Sequence, residues 1–134
     1  ENKKSSTASK KTPSKVKHIA VPQLYQVYKT PSEKPPVIID VRSEKEYEKG
    51  HIPTAIHIPL QEIGDRSQEI EGYLKGKEQE IYLVCAVGGK SSIAAEQLAS
   101  MGFNKAINVM GGTNGWVALG FPTEKGSPKK QNLK

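Results

Sequence analysis

The 134-residue chain has little of several things that define common protein classes, and each scarcity excludes one class. A single cysteine, Cys85, excludes an internal disulfide framework and a cysteine-rich metal site. The longest apolar run covers only residues 82–87, whereas a membrane-spanning helix needs roughly 18 such residues. The few aromatic residues show no stripe on which nucleic-acid bases could stack.

Positive charge is not scarce, but it is unevenly placed along the chain. The net charge is +6, with +5 in residues 1–17 and +3 in residues 121–134. The stretch 18–120 between them is mildly acidic, at −2. A domain that binds nucleic acid needs its cations on a folded surface, so we predict no nucleic-acid partner for this stretch.

The two ends also differ from the middle in composition. Residues 1–17 are rich in Lys, Ser and Thr, and residues 121–134 resemble them. Such segments bury too little apolar surface to offset the entropy of ordering, so we predict flexible basic tails around one domain at 18–120. The start at Glu1 without an apolar leader indicates a processed protein or a fragment, and leaves both a cytoplasmic and an exported location open.

Short β-branched runs alternate with helical patterns through the middle of the chain, which predicts an α/β sandwich with a mainly parallel sheet of about five strands flanked by helices. Ser91 and Ser92 are predicted to cap the helix that follows the fourth strand. The predicted strands lie at 18–20, 37–41, 55–58, 80–84 and 105–109. The predicted helices lie at 22–29, 63–75, 91–101 and 113–120, and a further short helix begins at the capping box formed by Ser43 and Glu46.

Cys85 stands at the end of the fourth predicted strand, where open α/β sheets bind their ligands. Gly88 and Gly89 allow the following loop to curl so that its N–H groups point inward as a nest for an anion. The next helix adds the positive end of its dipole, and Lys90 adds a full charge. A thiol in this setting has a lowered pKa. The alternative is a buried structural cysteine, and the pattern alone does not decide between the two.

Three motifs in order resemble the signatures of rhodanese (sulfurtransferase) domains and cover about residues 18–120. The first combines Asp-Val-Arg at 40–42 with the run from Glu46 to Pro59. The second is Cys-Ala-Val-Gly-Gly-Lys-Ser at 85–91, which is similar to the active-site loop Cys-x-x-Gly-x-Arg-Ser of single-domain members. The third is Gly-Gly-Thr-Asn-Gly-Trp at 111–116.

The resemblance implies a rhodanese-like three-layer fold and a specific chemistry. Cys85 would accept a sulfane sulfur as a persulfide and pass it to a thiol, cyanide or protein acceptor, without a metal or organic cofactor. The substrate is then a small anionic sulfur donor. The residues implied to hold the transferred sulfur by their backbone N–H groups are Ala86, Val87, Gly88, Gly89, Lys90 and Ser91.

The loop departs from the family pattern at two places. Lys90 replaces the usual Arg, which keeps the charge but loses the bidentate fork that binds an oxyanion. Ala86 and Val87 make the first half of the loop apolar. A polysulfide or a low-molecular-weight persulfide therefore suits this loop at least as well as thiosulfate.

Arg42 has two interpretations. It either forms a buried charge pair with Asp40 that steadies the loops, which we favour, or it orients an anionic substrate. His51 and His57 are accompanied by no further ligand cluster, so we predict no metal site.

Two other functions compete with sulfur transfer. Cysteine-dependent phosphatases or arsenate reductases of this fold need Cys-x5-Arg, but the sixth residue after Cys85 is Ser91 and the loop is one residue too short. A non-catalytic rhodanese-like docking module is the stronger alternative, since a cysteine can persist without turnover. A surface thiol at Cys85 would also permit an intermolecular disulfide, which leaves monomer and dimer open.

Overall fold

The structure is a computed structural model that describes residues 16–32, 36–76 and 78–127. Most of the two predicted tails, at 1–15 and 128–134, lies outside the described residues. The strands are β1 (Lys17–Ala20), β2 (Val37–Asp40), β3 (Ile56–His57), β4 (Ile81–Val84) and β5 (Ala106–Met110). The α-helices are α1 (Val21–Lys29), α2 (Glu44–Lys49), α3 (Ser67–Tyr73), α4 (Gly89–Ser100) and α5 (Gly112–Ala118), and a 3-10 turn covers Leu60–Glu62.

The five strands form one sheet in the order β1-β5-β4-β2-β3, and every neighbouring pair is parallel. This confirms the predicted α/β class. Both β2 and β4 are buried along their whole length, as expected for β-branched runs covered by helices on both faces. No helix in the described part of the chain is long and apolar enough to span a bilayer.

Helices cover both faces of the sheet and create two separate apolar cores. On one face, α3 and α4 contribute Ile70, Ala94 and Leu98 to the core. On the other face, α1, α2 and α5 contribute Leu24, Tyr47 and Trp116, which are all buried. The result is the predicted three-layer sandwich, in which the alternation of side chains along each strand supplies both cores.

The start of α4 differs from the prediction. The helix begins at Gly89 with Gly88 as its N-cap, two residues before the predicted start, and Ser91 lies inside its first turn. The predicted capping role of Ser92 is therefore wrong, and so is that of Ser91. The Ser91 hydroxyl contacts Cys85 and Asn108 instead of a free backbone N–H group.

The helix predicted at 63–75 is divided. The chain forms the 3-10 turn at Leu60–Glu62, passes Gly64 in a turn, and becomes α-helical only at Ser67–Tyr73. Glycine weakens a helix interior, and the Gly64 backbone lies against the Gln97 side chain of α4. A turn that contains Gly64 and lies close to α4 therefore replaces the first part of the expected helix.

Beyond residue 120 the chain continues to contact the folded body. The Phe121 ring stacks on Tyr25 at 3.9 Å between centroids, and the Pro122 carbonyl accepts a hydrogen bond from the Trp116 indole. Glu124 exchanges two backbone hydrogen bonds of 2.9 Å with His51. Residues 121–127 thus hold α5 against α1 and the turn after α2, although they belong to the segment expected to be a tail.

Replacing Phe121 by Ala tests this contact. We expect Phe121→Ala to lower the free energy of unfolding by about 1–3 kcal/mol, because it removes a partly buried aromatic ring and its stacking partner. Leu119→Ala is the matched control, since the Leu119 side chain is 54% exposed and should change stability by less than about 0.5 kcal/mol. Urea unfolding measures both, and equal effects of the two substitutions would contradict the assignment.

Candidate active site

Parallel strands bring the ends of β2, β4 and β5 to one edge of the sheet, and the three sequence motifs follow those strands. Cys85 comes directly after β4, the central strand. Arg42 follows β2 on one side, and Gly111 follows β5 on the other. The topology therefore assembles segments that lie more than 25 residues apart in the sequence.

The loop after β4 is oriented by the beginning of α5. The carbonyl groups of Cys85, Ala86 and Val87 accept hydrogen bonds from the N–H groups of Thr113, Asn114 and Gly111 at 2.8, 3.0 and 2.9 Å. In a trans peptide the N–H group points opposite to the carbonyl of the same unit. The N–H groups of residues 86–88 consequently point away from α5, as an anion-binding nest requires.

Gly112 permits this close approach. A Cβ atom at this position would lie closer than 3.0 Å to the carbonyl oxygens of Cys85 and Ala86. Its φ of +56° also lies in the left-handed region that glycine adopts without strain. Sequence reasoning missed this role, and the signal that could have found it is the Gly-Gly pair directly after a strand.

The Cys85 sulfur is buried at the bottom of the loop, with the residue only 2% exposed. The Gly88 N–H group donates to Sγ at 2.9 Å, and the Ser91 Oγ lies 3.4 Å from it. Burial alone would raise the pKa of the thiol, but hydrogen bonds from the Ser91 hydroxyl and from loop N–H groups outweigh burial and lower the pKa of Cys85.

The depth of Cys85 has a second consequence. An intermolecular disulfide requires two sulfur atoms at about 2.0 Å, which a residue enclosed in its own loop cannot reach without backbone movement. The expectation of a surface thiol was therefore wrong. A small donor that enters the loop remains compatible with this geometry.

The two loop glycines are not equivalent. Gly88 has a φ of +125°, so it supplies the left-handed turn that directs its N–H group at the sulfur. Gly89 is simply the first residue of α4, and a Cβ atom there would meet nothing within 4 Å. The predicted contribution of both glycines to the curl thus belongs to Gly88 alone.

The remaining loop residues form the rim of the site. Ala86 is half-buried, whereas the Val87 side chain is 63% exposed and presents an apolar edge. Lys90 is exposed in the first turn of α4. The pKa of Glu46 is lowered chiefly by a hydrogen bond from the Ser43 N–H group and further by the charges of Arg42 and Lys90. Glu46 therefore lies within the electrostatic field of Arg42 and Lys90.

Arg42 forms the pair with Asp40 that was favoured from the sequence. Its Nε and Nη2 atoms donate to the Asp40 carboxylate at 3.0 and 2.9 Å, and Nη2 also donates to the Gly50 carbonyl at 2.8 Å. Asp40 is fully buried and Arg42 is 7% exposed. A charge pair this deep is satisfied on both sides and links the end of β2 to the end of α2.

One concave region lies beside the site, and a larger one lies at the opposite edge of the sheet. A cleft of about 350 Å³ between α2 and α5 is lined by Arg42, Lys49 and Thr113. A larger cavity of about 570 Å³ lies at the amino ends of the strands, beside Tyr82 and Lys105. The larger cavity lies far from the thiol, so we place the site by its nucleophile and its oriented N–H groups and not by cavity size.

Comparison with known proteins identifies the family. The rhodanese-like domain model matches residues 24–119, which is most of the chain, so the protein belongs to the rhodanese-like family. A crystal structure of a rhodanese-like domain protein from Staphylococcus aureus superposes with a TM-score of 0.70 at 32% identity, covering 84% of this chain and 100% of that one.

Curated relatives share the same region. A protein of Bacillus subtilis named "putative sulfur carrier protein YrkF" is 42% identical over 80 residues, covering 60% of this chain and 40% of the relative. The thiosulfate sulfurtransferase GlpE of Coxiella burnetii is 30% identical over 82 residues, covering 61% of this chain and 72% of the relative. This chain thus spans less than half of the first of these proteins.

Ser91→Ala tests the contribution of the hydroxyl to the reactivity of Cys85. Losing this donor raises the pKa of the thiol, so the rate of iodoacetamide alkylation on the acid side of the pH profile falls about threefold. The plateau rate at high pH, where the thiol is fully ionised, serves as the internal reference. Ser92→Ala, one residue further along α4, should leave the profile unchanged, and superposition of the Ser91→Ala and unsubstituted profiles would contradict the assignment.

Proposed function

We propose that the protein is a sulfurtransferase that carries a sulfane sulfur as a persulfide on Cys85. The observation that carries the proposal is a buried thiol of lowered pKa to which the Gly88 N–H group donates. Membership of the rhodanese-like family and relatives named as a sulfurtransferase and a sulfur carrier support it.

In the first step, the Cys85 thiolate attacks the sulfane sulfur of the donor. A new bond forms between Sγ and that sulfur, the bond between the sulfane sulfur and the rest of the donor breaks, and its electron pair leaves with the remainder. With thiosulfate the products are the enzyme persulfide anion and sulfite, so charge and atoms balance. A thiolate that is already ionised needs no general base for this step.

In the second step, a nucleophilic acceptor attacks the terminal sulfur of the persulfide. The sulfur–sulfur bond breaks, its electron pair returns to Sγ, and the thiolate is restored. Cyanide gives thiocyanate, and a thiol or a protein acceptor gives its own persulfide. After the two steps Cys85 is again a thiolate, so the enzyme has gained or lost no electrons over the cycle. Neither step requires a metal or an organic cofactor.

The loop supplies electrostatic stabilisation to the intermediate. The terminal sulfur of a persulfide carries the negative charge about one bond length beyond Sγ, towards the N–H groups of residues 86–91. Because the start of α5 fixes the carbonyl groups on the other side, these donors are preorganised and need no reorientation when the charge arrives. Lys90 and the N-terminus of α4 add positive potential at the same place.

The rim favours a donor with apolar or extended sulfur chains. Val87 exposes its side chain beside the opening, and Lys90 offers a point charge in place of the planar fork that grips a sulfonate. Arg42 directs Nε and Nη2 to Asp40 and Gly50, so we infer that its guanidinium contributes charge more than hydrogen bonds. We infer that a polysulfide or a low-molecular-weight persulfide is a better donor than thiosulfate.

Intact-mass measurement after incubation with polysulfide tests the chemistry. We expect an adduct of one sulfur atom on the protein, and release of thiocyanate when cyanide is added. Cys85→Ser removes both signals, because its hydroxyl is not ionised at neutral pH and forms no persulfide.

Three other outcomes would contradict the proposal. The absence of an adduct with polysulfide, thiosulfate and a low-molecular-weight persulfide would favour a docking module. An adduct that survives in Cys85→Ser would place the chemistry elsewhere. Hydrolysis of an aryl phosphate without sulfur uptake would indicate a phosphatase.

Lys90→Arg tests the inferred donor preference. The guanidinium fork binds the sulfonate of thiosulfate in two places, so the ratio of the rate with thiosulfate to the rate with polysulfide should rise about threefold to tenfold. Lys105→Arg makes the same exchange at the opposite edge of the sheet and should leave the ratio unchanged. An unaltered ratio in Lys90→Arg would exclude this residue from donor selection.

A further inference from the structure

The Ser91 hydroxyl lies between two acceptors and has one proton to give. Its Oγ atom is 3.4 Å from Cys85 Sγ and 2.5 Å from Asn108 Oδ1, and the Ser91 residue is fully buried. A hydroxyl donates one hydrogen bond at a time. Ser91 therefore stabilises the sulfur only when it does not donate to Asn108.

The Asn108 side chain connects this hydroxyl to His18. Parallel pairing of β1 with β5 places His18 directly beside Asn108, and Asn108 Nδ2 lies 3.1 Å from His18 Nδ1. A continuous series of polar contacts thus runs from His18, which is exposed on the edge strand, through Asn108 and Ser91 to Cys85. The contact between His18 and Asn108 joins residues 90 positions apart.

Two hydrogen-bonding arrangements satisfy every member of this series. When His18 Nδ1 carries no proton, it accepts from Asn108 Nδ2, and Oδ1 then accepts the Ser91 proton. When Nδ1 is protonated, it must donate, and only Oδ1 can accept from it. The amide group then rotates by about 180°, so that Nδ2 donates a hydrogen bond to Ser91 Oγ. The Ser91 hydroxyl is then free to donate its hydrogen bond to Cys85 Sγ.

We propose that His18 and Asn108 are positioning residues that act through Ser91: protonation of His18 turns the Asn108 amide and directs the Ser91 hydrogen bond to the Cys85 sulfur. The inference deepens the proposed function, since it concerns the sulfur that would carry the persulfide. It predicts that the thiolate is favoured when His18 gains a proton, against the ordinary trend for a thiol.

The surroundings allow His18 to act as this switch. Histidine is the side chain whose charge ordinarily changes between roughly pH 5 and 8, and His18 is exposed, so it exchanges protons with solvent. The strand β5 beside it carries no charged residue. Of the charged residues on the neighbouring elements, Lys17 lies on β1 itself, Lys29 lies on α1, and Lys90 and Glu96 lie on α4.

The experiment is the rate of iodoacetamide alkylation of Cys85 against pH. A single thiol loses reactivity tenfold for each pH unit below its pKa. We expect the unsubstituted protein to depart from this line on the acid side, with a shoulder at which alkylation is about threefold to tenfold faster than the extrapolated single titration. Alkylation does not involve a sulfur donor, so this result is independent of whether the persulfide forms.

Two substitutions test whether the shoulder in the alkylation profile depends on His18 and Asn108. His18→Asn replaces the titrating ring by an amide whose hydrogen bonding does not depend on pH, and it should remove the shoulder while circular dichroism shows an unchanged fold. Asn108→Asp offers only acceptor oxygen atoms to Ser91, so the hydroxyl stays directed away from the sulfur and the shoulder should also disappear.

His57→Asn is the matched control. His57 lies on β3 and donates from Nε2 to the Arg42 carbonyl, on the other side of β4 from His18. The shoulder should persist in this variant. A shoulder that persists in His18→Asn, or in Asn108→Asp, would overturn the proposal, and so would an unsubstituted protein whose profile follows a single titration.

Discussion

The site depends on three hydrogen bonds between the beginning of α5 and the carbonyl groups of residues 85–87. Each bond fixes one peptide unit, and the three units together determine where the following N–H groups point. Without this constraint a glycine-containing loop would sample many conformations and would present as many carbonyl oxygens as N–H groups to an anion. The favourable electrostatics at Cys85 are therefore a property of the contact between two segments, and the loop sequence alone does not produce them.

That contact is in turn held by the sheet and by the far end of the chain. Parallel pairing places the ends of β4 and β5 side by side, so the loop and α5 start within hydrogen-bonding reach. Trp116 anchors α5 in the apolar core, and Phe121 and Pro122 enclose the indole from outside. The return of residues 121–127 to the turn after α2 closes this arrangement. Stability of the body and geometry of the site are thus maintained by the same contacts.

The sequence was sufficient for the elements that depend on local pattern. Buried strands such as β2 and β4 show as β-branched runs, and the same local pattern predicts Cys85 at a strand end. The role of Ser91 was predicted wrongly, because a serine at the start of a helix is typical of a cap and its actual partner, Asn108, lies in another strand. Pairing between β1 and β5, which brings His18 beside Asn108, likewise leaves no mark in local sequence.

The absent side chain of Gly112 bears on how chains of this family should be compared. Its hydrogen atom occupies the space between α5 and the carbonyl groups of Cys85 and Ala86, where a methyl group has no room. A related chain could retain every residue from 85 to 91 and still lack an ordered anion pocket if a larger residue stood at this position. Inspection of the cysteine loop is therefore insufficient to distinguish an active member from an inactive one. The residue at the position of Gly112, at the start of α5, must be inspected as well.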